Sequence, residues 1–493
     1  MDKLNLKYYE TKEWYSENYS ELSKIEEYMQ NKFNISNKVT HDTICKMLIY
    51  NYHKSDSKHK TNNIFRSFII YYSVVFFFLV LSVFGKKNKE ESIESDVSFD
   101  LWDTGNHILY DELYNILNQK FKIVLLDFTK DNIIRGKVLN NSKCKKVFDK
   151  SEHNSFFGKK ISFKIAKNLI FQFNSFYKIS KNLDYNFITI LLRMIKQIAI
   201  YETNIDGFRS KVFISAHDNS FNPLKYHIYK KKIDSIFLIQ NGYRQGINTN
   251  CIHQDCFTYA DYYIGFSDEN IDLQKGQFQN KLTWGSILID QEKIRNKDHT
   301  KAYDILFVEQ FILDCKYGVS EESYEKCIRL LCEFANNHKN YKIGYRIRRS
   351  RGTIENKTLL ANLNKYENML NEANIVVDSN LEKTSYQAVL ESDIVIHYAS
   401  TLGVEALAFD KKVLALYSDG YEIPAAFSKS DEIGMLIGYD YTKFEKKLLY
   451  LLQNDNKIIS DYYDEKRKIF MNQKDNLHIE LCDLIEKEIK SKC

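Results

Sequence analysis

Beyond residue 96 the chain is a succession of short apolar runs separated by stretches of helical period. Val97–Trp102 leads into a helix expected from about Asn106 to Gln119, and KIVLLDF follows at Lys122–Phe128. The rhythm lapses over Ile161–Glu202, which reads as helical, and returns with KVFISA (Lys211–Ala216), SIFLIQ (Ser235–Gln240) and YYIGF (Tyr262–Phe266). From Lys301 onward it is cleaner: YDILFV, YKIGYRI, NIVVD, DIVIHYA and KVLALY are five strands, each divided from the next by a helix. Strands that are apolar throughout and alternate with helices imply parallel sheets covered on both faces.

A chain of 493 residues is more than one hydrophobic core usually supports. The pattern divides it into a polar helical N-terminal extension (1–64), an apolar helix with a charged linker (65–95), a Rossmann-like domain (96–298), a second Rossmann-like domain (299–440), and charged C-terminal helices (441–493) that pack back across both. The expected fold class is therefore α/β with two Rossmann-like domains. Open parallel sheets bind ligands outside the carboxyl ends of their strands, so two such domains facing each other enclose a cleft there.

One segment departs from this pattern. Ser67–Gly85 is 19 residues without a charge, held between Arg66 and Lys86-Lys87. That is enough to span a bilayer, lie in its interface or form a buried helix of the first domain, and basic residues at both ends set no orientation. Met1–Glu27 is too polar for a secretory signal, and the nine cysteines are scattered and odd in number, unlike a disulfide framework. The expected setting is the cytoplasm, at the inner face of the cell membrane, with a single span at 67–85 as one form of attachment. A net charge of +5, from 70 basic and 65 acidic residues spread over the chain, gives no reason to expect nucleic acid.

Candidate chemistry sits where strands end. In SDIVIHYASTLGVEALAFDKKVLAL (Ser392–Leu416) a strand closes at His397-Tyr398, a small turn follows, and a helix begins that Ser400 or Thr401 caps. A helix start offers unsatisfied N–H groups and a positive dipole end to a phosphate, and Glu405 lies one turn further on. KIGYRIRRSRG (Lys342–Gly352) brings Arg346, Arg348, Arg349 and Arg351 to another strand end, and guanidinium forks match phosphate oxygens. In the first domain His217-Asp218 closes one strand, while Asp103 and His107 follow another; each could take a proton from a hydroxyl, and each is also a residue type that stabilises turns. CIHQDC (Cys251–Cys256) lacks a paired C-x-x-C, so no metal site is assigned. P-loop, HExxH, GxSxG and post-strand GxGxxG motifs are absent, as is a DxD metal pair.

Ser392–Leu416, with its strand, Ser-Thr turn and EALA helix, resembles the C-terminal domain of GT-B glycosyltransferases of bacterial surface polysaccharide synthesis. Phe213–Gly246, with Gln240-Asn241-Gly242 after its second strand, resembles the acceptor domain of capsule and teichoic-acid transferases, whose turn often carries a histidine where Asn241 stands. The resemblance implies a nucleotide-sugar donor as co-substrate, its nucleotide (UDP, GDP or CMP) left open, and no obligatory metal. It implies Ser400 and Thr401 on phosphate, Glu405 on the ribose hydroxyls, and a polysaccharide or lipid-linked glycan as acceptor. In retaining members a glutamate stands seven residues before the ribose-binding one; here that position is His397. A CDP-polyol phosphotransferase, a sugar-nucleotide 2-epimerase and a non-catalytic membrane scaffold of polysaccharide assembly remain as alternatives.

Overall fold

In a computed structural model of the chain, thirteen strands form two wholly parallel sheets. The structure describes residues 11–52, 64–84, 93–101, 111–127, 147–149, 159–183, 187–216, 218, 221–240, 242, 257–273, 276–295, 299–309, 321–347, 357–380, 383–398, 400–417, 433–455 and 457–492. The first sheet contains β1 (Ile93–Leu101), β2 (Ile123–Asp127), β3 (Val147–Asp149), β4 (Phe208–Ser215), β5 (Ile233–Ile239), β6 (Tyr259–Gly265) and β7 (Gln277–Thr283). The second contains β8 (Tyr303–Val308), β9 (Ile343–Arg346), β10 (Val376–Asp378), β11 (Ser392–Tyr398), β12 (Lys412–Tyr417) and β13 (Met435–Ile437).

The sheet orders are β3-β2-β1-β4-β5-β6-β7 and β10-β9-β8-β11-β12-β13. In each, the chain starts near the middle, winds outward one way, then returns and winds outward the other way, which is the doubly wound Rossmann order. The reversal leaves a crevice between β1 and β4 in the first sheet and between β8 and β11 in the second. Alternate residues of the first sheet feed two different cores: Ile123, Leu125, Val212 and Ile214 pack on one face, Val124, Leu126 and Phe213 on the other. The runs therefore carry no polar face, because helices cover both sides.

Two features go beyond the expected layout. The helices Tyr19–Phe33 and Asn37–Tyr52 of the N-terminal extension pack onto the first domain: Leu22, Ile25, Met29, Phe33, Ile44 and Cys45 belong to the same core cluster as Phe213 and Leu238 of the first sheet. The second sheet has a sixth strand, β13, where the sequence suggested five; three residues at a sheet edge are too short to establish a period.

The C-terminal helices join the two domains. Helix Lys457–Phe470 contributes Ile459, Tyr463 and Phe470 to the core of the second domain, and helix Leu477–Ser491 contributes Leu477, Leu481 and Ile485 to that of the first. Between them, Asn472 N–H donates to the Phe266 carbonyl (2.9 Å) and Lys474 N–H to that of Trp284 (3.0 Å). Buried Asp290 then accepts from Asn476 N–H at 2.9 Å and holds His478 Nδ1 at 2.7 Å. Removing this carboxylate leaves buried donors unpaired, so Asp290→Ala should cost about 2–4 kcal/mol of unfolding free energy. Urea denaturation reads this as a lowered midpoint; an unchanged midpoint would show that the connection is not a stabilising one.

Candidate functional site

The strand-turn-helix unit of the second domain is built around an unusually close approach. β11 ends at His397-Tyr398, and Ser400 opens helix Thr401–Glu405 with extended backbone angles (φ −92°, ψ 133°). A Cβ on Gly403 would lie 2.1 Å from the His397 ring, so only glycine lets the helix sit down on the strand end. His397 is fully buried and its Nδ1 accepts the Ser400 N–H at 3.3 Å, so it props the turn from beneath. Burial pulls its pKa down to about 3, which keeps the ring neutral. The position that would hold a glutamate in retaining enzymes thus carries a structural imidazole.

The Ser400 side chain makes no cap hydrogen bond, and the first turn of any helix has N–H groups it cannot satisfy itself. Thr401 is exposed at the mouth of this turn. Glu405 lies on the same helical face one turn deeper, only 3% exposed, and its Oε2 accepts the Tyr386 hydroxyl at 2.9 Å. Tyr386 packs against the cores of both domains, so this carboxylate lies where the two domains meet.

Gly242, in the turn after β5 of the first domain, completes the arrangement. A Cβ built there would lie 3.9 Å from Thr401 Oγ1, so the Gln-Asn-Gly turn and the Ser-Thr turn face each other across the domain boundary. Gln240 fixes its own turn: its amide nitrogen donates to Gly242 O (3.0 Å) and Asn270 Oδ1 (2.9 Å), and its amide oxygen accepts Phe266 N–H (2.9 Å). Two motifs singled out in separate halves of the sequence are therefore spatial neighbours.

The other sequence candidates fall differently. Arg346 is buried, with its guanidinium donating to Asp378 Oδ1 (2.9 Å), to the Asn380 carbonyl (2.9 Å) and to the Lys383 carbonyl. It ties β9 to β10 and the loop beyond, instead of presenting a fork to the cleft as expected. Asp218 is also buried, and its Oδ2 accepts the Tyr263 hydroxyl of β6 at 2.6 Å. Asp103, His107, His217 and Arg348, together with Arg349, Arg351 and Cys251–Cys256, lie outside the described residues. Among the described residues no three His, Cys, Asp or Glu side chains converge as a metal site would require.

Two groups at the crevices had not been read from the sequence. At the β1–β4 crevice Asp100 Oδ2 accepts the Ser215 hydroxyl (2.7 Å) and faces the Lys225 ammonium at 3.8 Å, while its Oδ1 is buried without a hydrogen-bond partner. Lys225 is enclosed by Phe221 and Tyr229 rings, and burial draws its pKa down to about 8 against the opposing pull of Asp100. At the β8–β11 crevice, buried Glu309 accepts the Tyr345 hydroxyl at 2.8 Å. Asp100 is the penultimate residue of β1 and Glu309 follows the last residue of β8, so the signal was a polar residue at the carboxyl end of an apolar run. Asp100 lies inside the expected strand Val97–Trp102, three residues before the candidate Asp103. A separate groove of about 360 Å³ lies at the opposite, N-terminal edge of the first sheet, between Asp96, Lys122 and Lys211. Parallel sheets do not bind ligands at that edge.

No protein-family model matches the sequence, and no curated protein matches it. Solved structures with a related architecture include the wall teichoic acid polymerase TagF, at 13% identity and TM-score 0.44 over 88% of this chain and 99% of that one. The UDP-GlcNAc 2-epimerase of Neisseria meningitidis bound to UDP-GlcNAc is 10% identical with TM-score 0.43, over 81% of this chain and 100% of that one. The Methanocaldococcus jannaschii UDP-GlcNAc 2-epimerase is 10% identical with TM-score 0.41, over 74% and 94%. The fold assignment rests on the strand order itself.

The buried neutral imidazole gives the turn an acid limit. An unfolded histidine titrates near 6.5 and His397 near 3, so its contribution is complete above pH 6.5 and lost as the pH falls. The loss is about 1.4 kcal/mol per pH unit across that window. His397→Gln removes the titration, so wild-type stability should decline relative to this variant between pH 6.5 and 4 in urea melts. Parallel pH profiles would contradict the assignment.

Proposed function

We propose that the chain is a glycosyltransferase that moves a sugar from a nucleotide-sugar donor to a polysaccharide or lipid-linked glycan acceptor. The apposition of Gly242 and Thr401 carries this reading, because it places a helix start suited to phosphate against the acceptor-side domain. The donor's phosphates lie on the N–H groups of the first turn at Ser400-Thr401. Glu405, oriented by Tyr386, takes the ribose hydroxyls beneath them. Arg348, on the segment that continues from β9, adds positive charge to the same phosphates.

In the transfer step the acceptor hydroxyl oxygen bonds to the anomeric carbon, the bond from that carbon to the phosphate oxygen breaks, and the hydroxyl proton passes to a base. Asp103 or His107, on the segment leaving β1, supplies that base. Most of the acceleration comes from holding the two substrates in line and from the helix dipole meeting the charge that develops on the departing nucleoside phosphate.

A thermal-shift series of the purified protein against CMP, CDP, UDP and GDP and their sugar conjugates tests this, because a ligand selective for the folded state raises the melting temperature. One nucleotide should stabilise selectively, by about 2.7 kcal/mol at a hundredfold excess over its Kd. Glu405→Gln and Thr401→Val should each weaken that effect while leaving the unliganded melting temperature within a few degrees. Stabilisation by CDP-polyols alone would move the reading to a polyol-phosphate transferase. Absence of any shift in folded protein would replace it with a non-catalytic scaffold.

A further inference from the structure

Helix Ile64–Phe84 is apolar on two opposite faces. One face is inside the first domain, where Tyr71, Val75 and Phe78 join the core and the helix packs along helix Lys159–Leu169. There the Tyr71 hydroxyl donates to the Leu169 carbonyl at 2.6 Å, and the Phe68 and Tyr71 rings meet Phe173 edge-on at 5.2 and 5.4 Å. The other face carries Ile69, Phe76 and Val83 on one line and Ile70 and Phe77 on the next, at the seven-residue, two-turn spacing of a helix stripe. These side chains are 38–67% exposed. Ser73 is the one polar residue exposed between Phe68 and Val83. A surface helix of a soluble domain puts charge on this face, and a continuous apolar stripe there marks a contact surface.

The neighbouring elements extend that surface and give it a sign. Phe171, 85% exposed, lies two residues before Phe173, and Phe163 of helix Lys159–Leu169 is 58% exposed. From Lys159 to Lys181 there are six lysines and no acidic residue, and residues 64–87 add Arg66, Lys86 and Lys87 with none. Lys164 is answered by Glu202 at 3.4 Å, which leaves the segment strongly basic. A second copy of the chain docking face to face would oppose these lysines to themselves. An anionic surface would not.

We propose that this face docks in the plane of an anionic lipid bilayer, with Ile69, Phe76, Phe77 and Val83 in the acyl boundary and the lysines on the headgroups. The helix does not span. Its 21 residues are about 31 Å long, and the face that carries Tyr71, Val75 and Phe78 is committed to the domain core. The eight residues 85–92 let the chain reach at most about 32 Å before β1 enters the sheet between β2 and β4, short of the about 40–45 Å of a bilayer with its headgroups. Membrane attachment read in this way is independent of the reaction catalysed in the cleft.

Sedimentation of the full chain with vesicles of phosphatidylcholine, alone or with about one-third phosphatidylglycerol, tests the proposal. Binding to the anionic vesicles should exceed binding to the neutral ones by roughly tenfold or more and weaken with salt. The double variant Phe76→Ser with Phe77→Ser, at two exposed positions, should lose roughly tenfold in vesicle affinity with an unchanged melting temperature. Alkaline carbonate should release the wild-type protein. The proposal is overturned by folded protein that binds neither vesicle, by equal binding to both, by retention after carbonate extraction, or by a dimer that the double variant dissociates without any vesicle binding.

Discussion

The hydrogen bonds between segment 472–478 and the ends of β6 and β7 set the relative position of the two domains, and with it the geometry of the cleft. Phe266, Trp284 and Asp290 belong to the first domain, yet their partners Asn472, Lys474 and His478 follow a helix rooted in the second. Gln473 reinforces them by accepting Ser286 N–H at 2.8 Å and donating to the Ser286 carbonyl at 3.2 Å. Main-chain bonds of this kind have little freedom in length or direction. Thr384, which accepts Gln387 N–H as it caps its helix, adds a side-chain link to Glu292 at 2.8 Å. The turns at Gly242 and Thr401 are therefore held face to face by contacts remote from them.

Within the second domain the decisive constraint is steric. The helix that starts at Thr401 can sit on the end of β11 only because Gly403 has no side chain to collide with His397. The imidazole is in turn obliged to stay neutral, since it is buried with one nitrogen committed to the Ser400 N–H. Glu405 then falls beneath Thr401 at the meeting of the two cores. An exposed helix start and a buried carboxylate beneath it follow from one tight strand-to-helix turn.

Much of this was legible in the sequence, for identifiable reasons. β8 and β12 match the apolar runs YDILFV and KVLALY residue for residue, because a strand buried on both faces has no polar position to blur its ends. β3 and β13, three residues each, left no period to read. The Ser-Thr turn was visible as a change from an apolar run to a small polar pair, although Ser400 stands at the N-cap without the side-chain bond expected of a cap. The role of Arg346 was not: a basic cluster at a strand end looks the same whether it faces a ligand or, as here, the buried Asp378. Asp218 was open to both a chemical and a structural reading, and its bond to Tyr263, 45 positions on, is one that no local pattern reveals. Asp100 was overlooked because it sits within β1, and its link to Lys225 joins residues 125 positions apart that no local pattern connects.

We propose that one ligand lies across the neighbouring turns at Gly242 and Thr401 and contacts both. Hydrogen–deuterium exchange followed by mass spectrometry, with and without the nucleotide that most raises the melting temperature, tests it directly. The account predicts slowed exchange in peptides covering both 238–246 and 399–406, with helix Ile64–Phe84 unaffected, since local opening governs amide exchange and a bridging ligand suppresses it on both sides. Protection confined to one domain, or located away from both turns, would contradict it.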